Sequence, residues 1–250
     1  MTQTAARTLW CAYAVIGPVG EQARAALGDE LCLVGDAEAA VVVREVPQSE
    51  FGEDVLATHL NDRGWLERTV ADHQSVVRRL LAAATVVPLR FGSLHRDTAA
   101  VEGFLAEHRD EFVAALDRVR GRVELGVKLW VAAPADEAEG RRPATGREYL
   151  ERRREAREHA ATARAALDET LRAVHARLLA VSEAGVLNRS QPRELTGDSR
   201  VMAMNAAYLV DADDDSLFSE VEHLRRAHPG LVFEVTGPWA PYNFVGSPET

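Results

Sequence analysis

Apolar and polar positions divide the chain into short strand-like runs and longer helical stretches. Leu9 to Ile16 is an unbroken apolar, aromatic and β-branched run closed by Gly17-Pro18, which predicts a buried strand followed by a turn. Ala39 to Val46, with three consecutive valines and Pro47 behind it, reads the same way, and Leu31 to Val34 predicts a shorter third strand. Ser49 is placed to cap a helix over Glu50–Asn61, and a longer helix is expected over Trp65–Ala83, where apolar side chains recur at helical spacing. Thr85 to Leu94 is a β-type run interrupted by Pro88, which must sit at an edge or a bulge. A helix over Asp97–Arg118 ends before Gly121, and a domain boundary is expected near residue 120.

From residue 122 the pattern changes. Arg122–Val131 alternates as a half-buried strand, while Ala133–Gly146 is rich in Pro, Gly and charge and reads as a loop. A helix then runs from Gly146 to about Ser182 with an apolar stripe stepping by four and three residues. That stripe fits either a coiled-coil seam or a single amphipathic helix laid across a sheet. Strands at Val186–Asn188 and Val201–Val210, a helix over Ser216–Ala227 and a strand Leu231–Thr236 complete the order β, α, β, β, α, β, the split βαβ pattern of ferredoxin-like domains. The predicted fold class is α+β: an N-terminal α+β domain over 1–120, a ferredoxin-like C-terminal domain with a long helix over 121–236, and a Pro/aromatic strap over 237–250.

Composition narrows the function classes. Hydrophobic residues at 46% and charged residues at 27% are ordinary for a globular protein, and a net charge of −10 argues against a nucleic-acid partner. No apolar run approaches the roughly 20 residues that span a bilayer, and Met1–Arg7 lacks the pattern of a secretory leader, so a cytoplasmic protein is expected. Cys11 and Cys32 have no metal-ligand spacing, and Cys11 in its apolar run reads as a buried free thiol.

Candidate chemistry is sparse. Asp211, Asp213, Asp215 and Glu222 have the spacing of an EF-hand calcium loop, but Ser216 takes the place that needs Gly and a strand precedes it. An acidic strand-to-helix turn accounts for the same residues. The eight histidines form no HExxH or Cys/His cluster, and no phosphate loop or nucleophile elbow occurs. No enzyme, cofactor or metal is expected. Arg90, among apolar neighbours, calls for a structural ion pair or serves anion or partner binding. Gly237 to Val245 is stiff, carrying Pro238 and Pro241 with Trp239, Tyr242 and Phe244 as apolar anchors, and is suited to clamping over its own core or over a partner.

Four stretches carry a resemblance. Gly237-Pro238-Trp239-Ala240-Pro241-Tyr242-Asn243-Phe244 resembles the terminal GPWPPYSF-type signature of the GvpF/GvpL family of gas vesicle accessory proteins, with Ala240 for Pro and Asn243 for Ser. Thr85 to Ser93 is similar to that family's TVLPLRFGT motif, with Ser93 for Thr, and the Arg122–Trp130 strand and the Gly146–Arg153 helix start resemble it too. The resemblance spans nearly the whole chain. It implies a ferredoxin-like C-terminal domain and a non-enzymatic role in gas vesicle formation, through binding of the hydrophobic shell subunit and other accessory proteins. The candidate contact residues are Arg90, Phe91, Gly92, Trp239, Pro241, Tyr242 and Phe244. The alternative is a ligand-sensing regulatory module, since such domains often serve that purpose.

Overall fold

The computed structural model describes residues 8–131, 146–190 and 200–246. The chain divides into two compact units, Met1–Glu124 together with Pro238–Thr250, and Leu125–Gly237.

The first unit is built on an antiparallel sheet. Its central strand β1 (Thr8–Ile16) lies between β3 (Ala40–Pro47) and β4 (Val86–Pro88), with β2 (Cys32–Gly35) outside β3 and β5 (Leu94–His95) also pairing with β1. The continuous apolar runs follow from burial of both faces: every residue from Cys11 to Ile16 and from Ala40 to Val43 is buried. Cys11, Tyr13 and Ile16 pack on one side with Val76, Val77 and Leu80 of α4 (Arg63–Leu81). Helices α5 (Thr98–Glu107) and α6 (Arg109–Val119) contribute Val101, Leu105, Phe112 and Leu116 to the rest of the unit's core. Cys11 is a buried free thiol, and Cys32 is exposed and free.

Three predicted elements change shape. The helix expected over 50–61 is two pieces, α2 (Gln48–Phe51) and α3 (Glu53–Leu60), parted at Gly52, and Pro47 rather than Ser49 holds the cap position. A Cβ on Gly52 would lie 2.6 Å from the Gln48 carbonyl oxygen, which ties the break to glycine. The helix expected over 97–118 breaks at His108, whose ring packs against Phe104 and Phe112; nothing in the periodicity marks that break. The run from Thr85 to Leu94 yields only β4 and β5, because the chain leaves the sheet between them. Helix α4 starts earlier than expected, capped by Asp62, whose Oδ1 accepts from the Gly64 and Trp65 amides at 2.9 and 3.2 Å.

The second unit has a four-stranded sheet in the order β7-β8-β6-β9. Its strands are β6 (Arg122–Val131), β7 (Ala184–Asn188), β8 (Val201–Asp211) and β9 (Leu231–Trp239). The connecting helices are α7 (Gly146–Ala180), after β6, and α8 (Ser216–Ala227), after β8. Leu125, Val127 and Leu129 of β6, Val174 and Leu178 of α7, and Leu217, Val221 and Leu224 of α8 are buried. Strand β9 extends past the expected Thr236 through Pro238, which its edge position in the sheet tolerates.

Helix α7 meets neither expectation for its whole length. A helix of 35 residues spans about 52 Å, against about 37 Å for the 11 residues of β8, so it outruns its sheet. Val174 and Leu178 are fully buried, while most described side chains before Leu167 are exposed. The acidic turn after β8 is local in the way expected: Asp214 Oδ1 accepts from the Ser216 amide at 2.9 Å and from its hydroxyl at 2.6 Å.

Candidate partner-binding surface

The Leu89–Ser93 turn and the strap from Pro238 onward both belong to the first unit; helix α4 packs His73 on the turn and lines a pocket with the strap. The first is a turn, Leu89 to Ser93, that spans an irregularity in β1. Ala12 pairs with Val43 and Ala14 with Val42, which leaves Tyr13 as an extra residue in the strand. The turn closes over that bulge: the Leu89 amide donates to the Tyr13 carbonyl at 3.0 Å, and the Ala12 amide donates to the Ser93 carbonyl at 2.8 Å. The Ser93 hydroxyl donates to the Arg90 carbonyl at 2.9 Å, and Gly92 holds φ at 87°, the left-handed region.

This geometry corrects the expectation for Arg90. Burial ends at Leu89, and the turn sends Arg90 into solvent, so no buried ion pair is needed. Phe91 takes the inward place instead. Its ring meets His73 of α4 edge-on at 5.8 Å, and His73 stacks on Tyr13 at 5.1 Å. The Arg44 guanidinium lies over the Tyr13 ring at 5.2 Å, held by Asp72 and by Glu30 at 3.3 Å. Burial pushes the His73 ring below the ordinary histidine value, and the Asp72 carboxylate pulls it back in part. Neither ring nitrogen reaches a hydrogen-bond partner among the described residues. Burial likewise pushes the Cys11 thiol up to about 11, so it is a packed, unreactive sulfur.

The second stretch is the C-terminal strap. Ala240, Pro241, Phe244 and Val245 face inward, whereas Trp239 and Tyr242 keep 40% and 39% of their surface exposed. The alternation follows from tight local turns, the Tyr242 amide donating to the Ala240 carbonyl at 2.8 Å and the Phe244 amide to the Pro241 carbonyl at 3.1 Å. Two long-range contacts fasten the strap. The Arg118 guanidinium donates to the Phe244 carbonyl at 3.3 Å. Glu124, only 6% exposed, accepts from the Asn243 amide at 2.9 Å and from the Asn243 side chain at 2.6 Å. Burial raises the Glu124 carboxyl, and the two Asn243 hydrogen bonds oppose the rise. Burial and then the Glu124 charge push the Tyr242 phenol up to about 12.

Between the strap and α4 lies a pocket of about 140 Å³. Val77, Leu81, Trp239 and Tyr242 line it with apolar surface, Glu124 contributes a carboxylate, and Gln74 and Arg78 stand on the helix side. The sequence pointed to Trp239 and Tyr242 but not to Glu124, which sits in an alternating strand with nothing local to mark it. Asn243, noted only as a departure from Ser, is its partner. In the second unit a separate groove of about 550 Å³ runs between α7 and the β7–β8 strands, lined among others by Leu171, His175, Leu187 and Met204. Among the described residues no three His, Cys, Asp or Glu side chains gather as a metal-holding group, and no helix is long and apolar enough to cross a membrane.

The chain is similar to gas vesicle protein L of Streptomyces sp. (strain CB03234), at 35% identity over 247 residues covering 95% of this chain and 92% of that protein. It is also similar to gas vesicle protein F2 of Halobacterium salinarum, at 31% identity over 186 residues covering 72% of this chain and 70% of that protein. Its fold is similar to the crystal structure of the gas vesicle protein GvpF from Anabaena sp. PCC7120, with a TM-score of 0.70 at 14% identity, over 97% of this chain and 98% of that one. The model of the gas vesicle synthesis protein GvpL/GvpF family matches residues 9–246, a span that includes both the Leu89–Ser93 turn and the strap, and the chain therefore belongs to the GvpL/GvpF family of gas vesicle synthesis proteins.

Proposed function

We propose that this chain acts without catalysis in gas vesicle formation, in the cytoplasm and at the vesicle, by binding the hydrophobic shell subunit and other accessory proteins. The observation that carries the reading is the strap: a stiff, doubly fastened segment that buries one set of its apolar side chains and leaves Trp239 and Tyr242 at a pocket mouth. Exposed aromatic anchors on a pre-ordered backbone lose little conformational freedom on binding, which is how interface hot spots are built. A shell subunit that exposes apolar surface before it polymerises needs such a partner. Arg90, Phe91 and Gly92 form the second contact region, with Arg90 outward and Phe91 holding the turn. Pro241 and Phe244 serve the surface from behind, as the strap's anchors.

In this reading the first unit, with the strap, is the binding domain. The second is a ferredoxin-like domain, supported by its β-α-β-β-α-β order and by a sheet in which the first and third strands are central. Co-purification with the shell subunit of the same gene cluster tests the proposal. Retention that is lost in a folded Trp239→Ala variant is expected; absence of retention at any salt concentration overturns shell binding.

The groove in the second unit favours a second reading, a ligand-sensing module, because its 550 Å³ falls in the size range of small-molecule sites. A rise in melting temperature with one metabolite class, and none with the shell subunit, would put that reading first.

A further inference from the structure

We propose that the pocket between α4 and the strap seats a lysine or arginine side chain of a protein partner, with its charged head on Glu124 and its stem between Trp239 and Tyr242. The inference deepens the reading of the strap as the partner-facing surface and rests on it. At about 140 Å³ the pocket is smaller than the roughly 300–1,000 Å³ of small-molecule sites, and it suits one long side chain.

Charge decides which side chain. Glu124 is almost wholly buried, receives two hydrogen bonds from Asn243, and has no Lys or Arg partner among the described residues. Buried carboxylates are ordinarily paired; this pocket-lining one has each oxygen taken by a single Asn243 hydrogen bond, which leaves further acceptor capacity and no cation. An apolar side chain entering there would strip the remaining water from the carboxylate and offer nothing in return. A basic side chain supplies the missing charge at Glu124 and lays its alkyl stem between Trp239 and Tyr242, over the apolar floor of Val77 and Leu81. The chain's net charge of −10 favours approach of a basic partner. Arg78, exposed on the helix side of the pocket, is the one cation that opposes it among the pocket's lining residues.

The test uses the full chain, isotope-labelled, with the indole resonance of Trp239 assigned through Trp239→Phe. The probes are the capped tripeptide Gly-Lys-Gly and its norleucine counterpart, which has the same stem without the ammonium group. The lysine probe is expected to shift the Trp239 resonance and to bind about tenfold or more tightly than the norleucine probe, with the advantage weakened by salt. Glu124→Gln should erase the advantage while keeping the strap in place, because the Asn243 amide can flip to exchange donor for acceptor. Arg78→Gln should enlarge it. In a Trp239→Leu variant, read on the Asn243 side-chain amide, lysine affinity should fall with Glu124 intact. Equal or stronger norleucine binding, no shift with either probe, or an advantage that survives Glu124→Gln overturns the proposal. Shell-subunit capture is scored separately. Capture intact beside a failed lysine preference removes this pocket and leaves the function standing. A lysine preference without capture supports the pocket and removes the shell subunit as its partner.

Discussion

Glu124 and Asn243 lie 119 residues apart, and two hydrogen bonds between them hold the middle of the strap. Glu124→Ala removes both and leaves the Asn243 amide facing a cavity, so a loss of about 1–3 kcal/mol is expected, seen as a melting temperature lower by several degrees. An unchanged melting temperature would mean that the latch contributes nothing. His73 makes a second residue-scale case. Its buried ring sits between Tyr13 and Phe91, with Leu89, Asp72 and Arg44 around it, and burial pushes its proton affinity down. The unfolded chain therefore takes up that proton first. Above the ordinary histidine value of about 6.5 the group leaves stability unchanged, and stability is lost as pH falls through that value toward the folded one. His95, also pushed down by burial, adds in the same sense. Denaturant titrations of His73→Phe and the parent should diverge in favour of Phe between about pH 7.5 and about pH 5.5. Parallel curves would contradict the assignment.

At the scale of elements, two glycines distinguish strain from crowding. Gly35 ends β2 at φ 136°, and a Cβ there would lie 2.5 Å from the Ala39 carbonyl oxygen and 2.7 Å from Leu105. Gly92 in the motif turn has positive φ but open space around it. Gly92→Ala should cost about 1 kcal/mol from backbone strain alone, and Gly35→Ala clearly more. Equal losses by chemical denaturation would contradict this difference. In α7, Leu178→Ala should cost about 2–5 kcal/mol as a buried leucine. Leu150→Ala, at a position 65% exposed, should stay within about 0.5 kcal/mol, measured the same way. The strands β1 and β3 were legible because burial on both faces writes itself as unbroken apolar runs. The breaks at Gly52 and His108 were not, since the apolar spacing continues across them. Arg90 misled because apolar neighbours in sequence say nothing of a turn that carries the next residue out of the sheet. Trp239 and Tyr242 were legible as stiffly held aromatics. Glu124 was not, because its meaning lies in a partner at the far end of the chain.

At the scale of the whole molecule, two units have different surfaces to offer. The first carries the strap, the motif turn and the charged pocket, and the second carries the groove beside α7. Family membership follows from the match across residues 9–246, and the strap with its pocket is the surface proposed to meet the shell subunit. Amide hydrogen exchange of the full chain, alone and mixed with the shell subunit, is the decisive measurement for that proposal. Added protection is expected over 237–246 and over 74–81 of α4, with the groove strands 184–188 and 201–205 unchanged. Protection confined to the groove strands, with the strap exchanging as in the free protein, would contradict it.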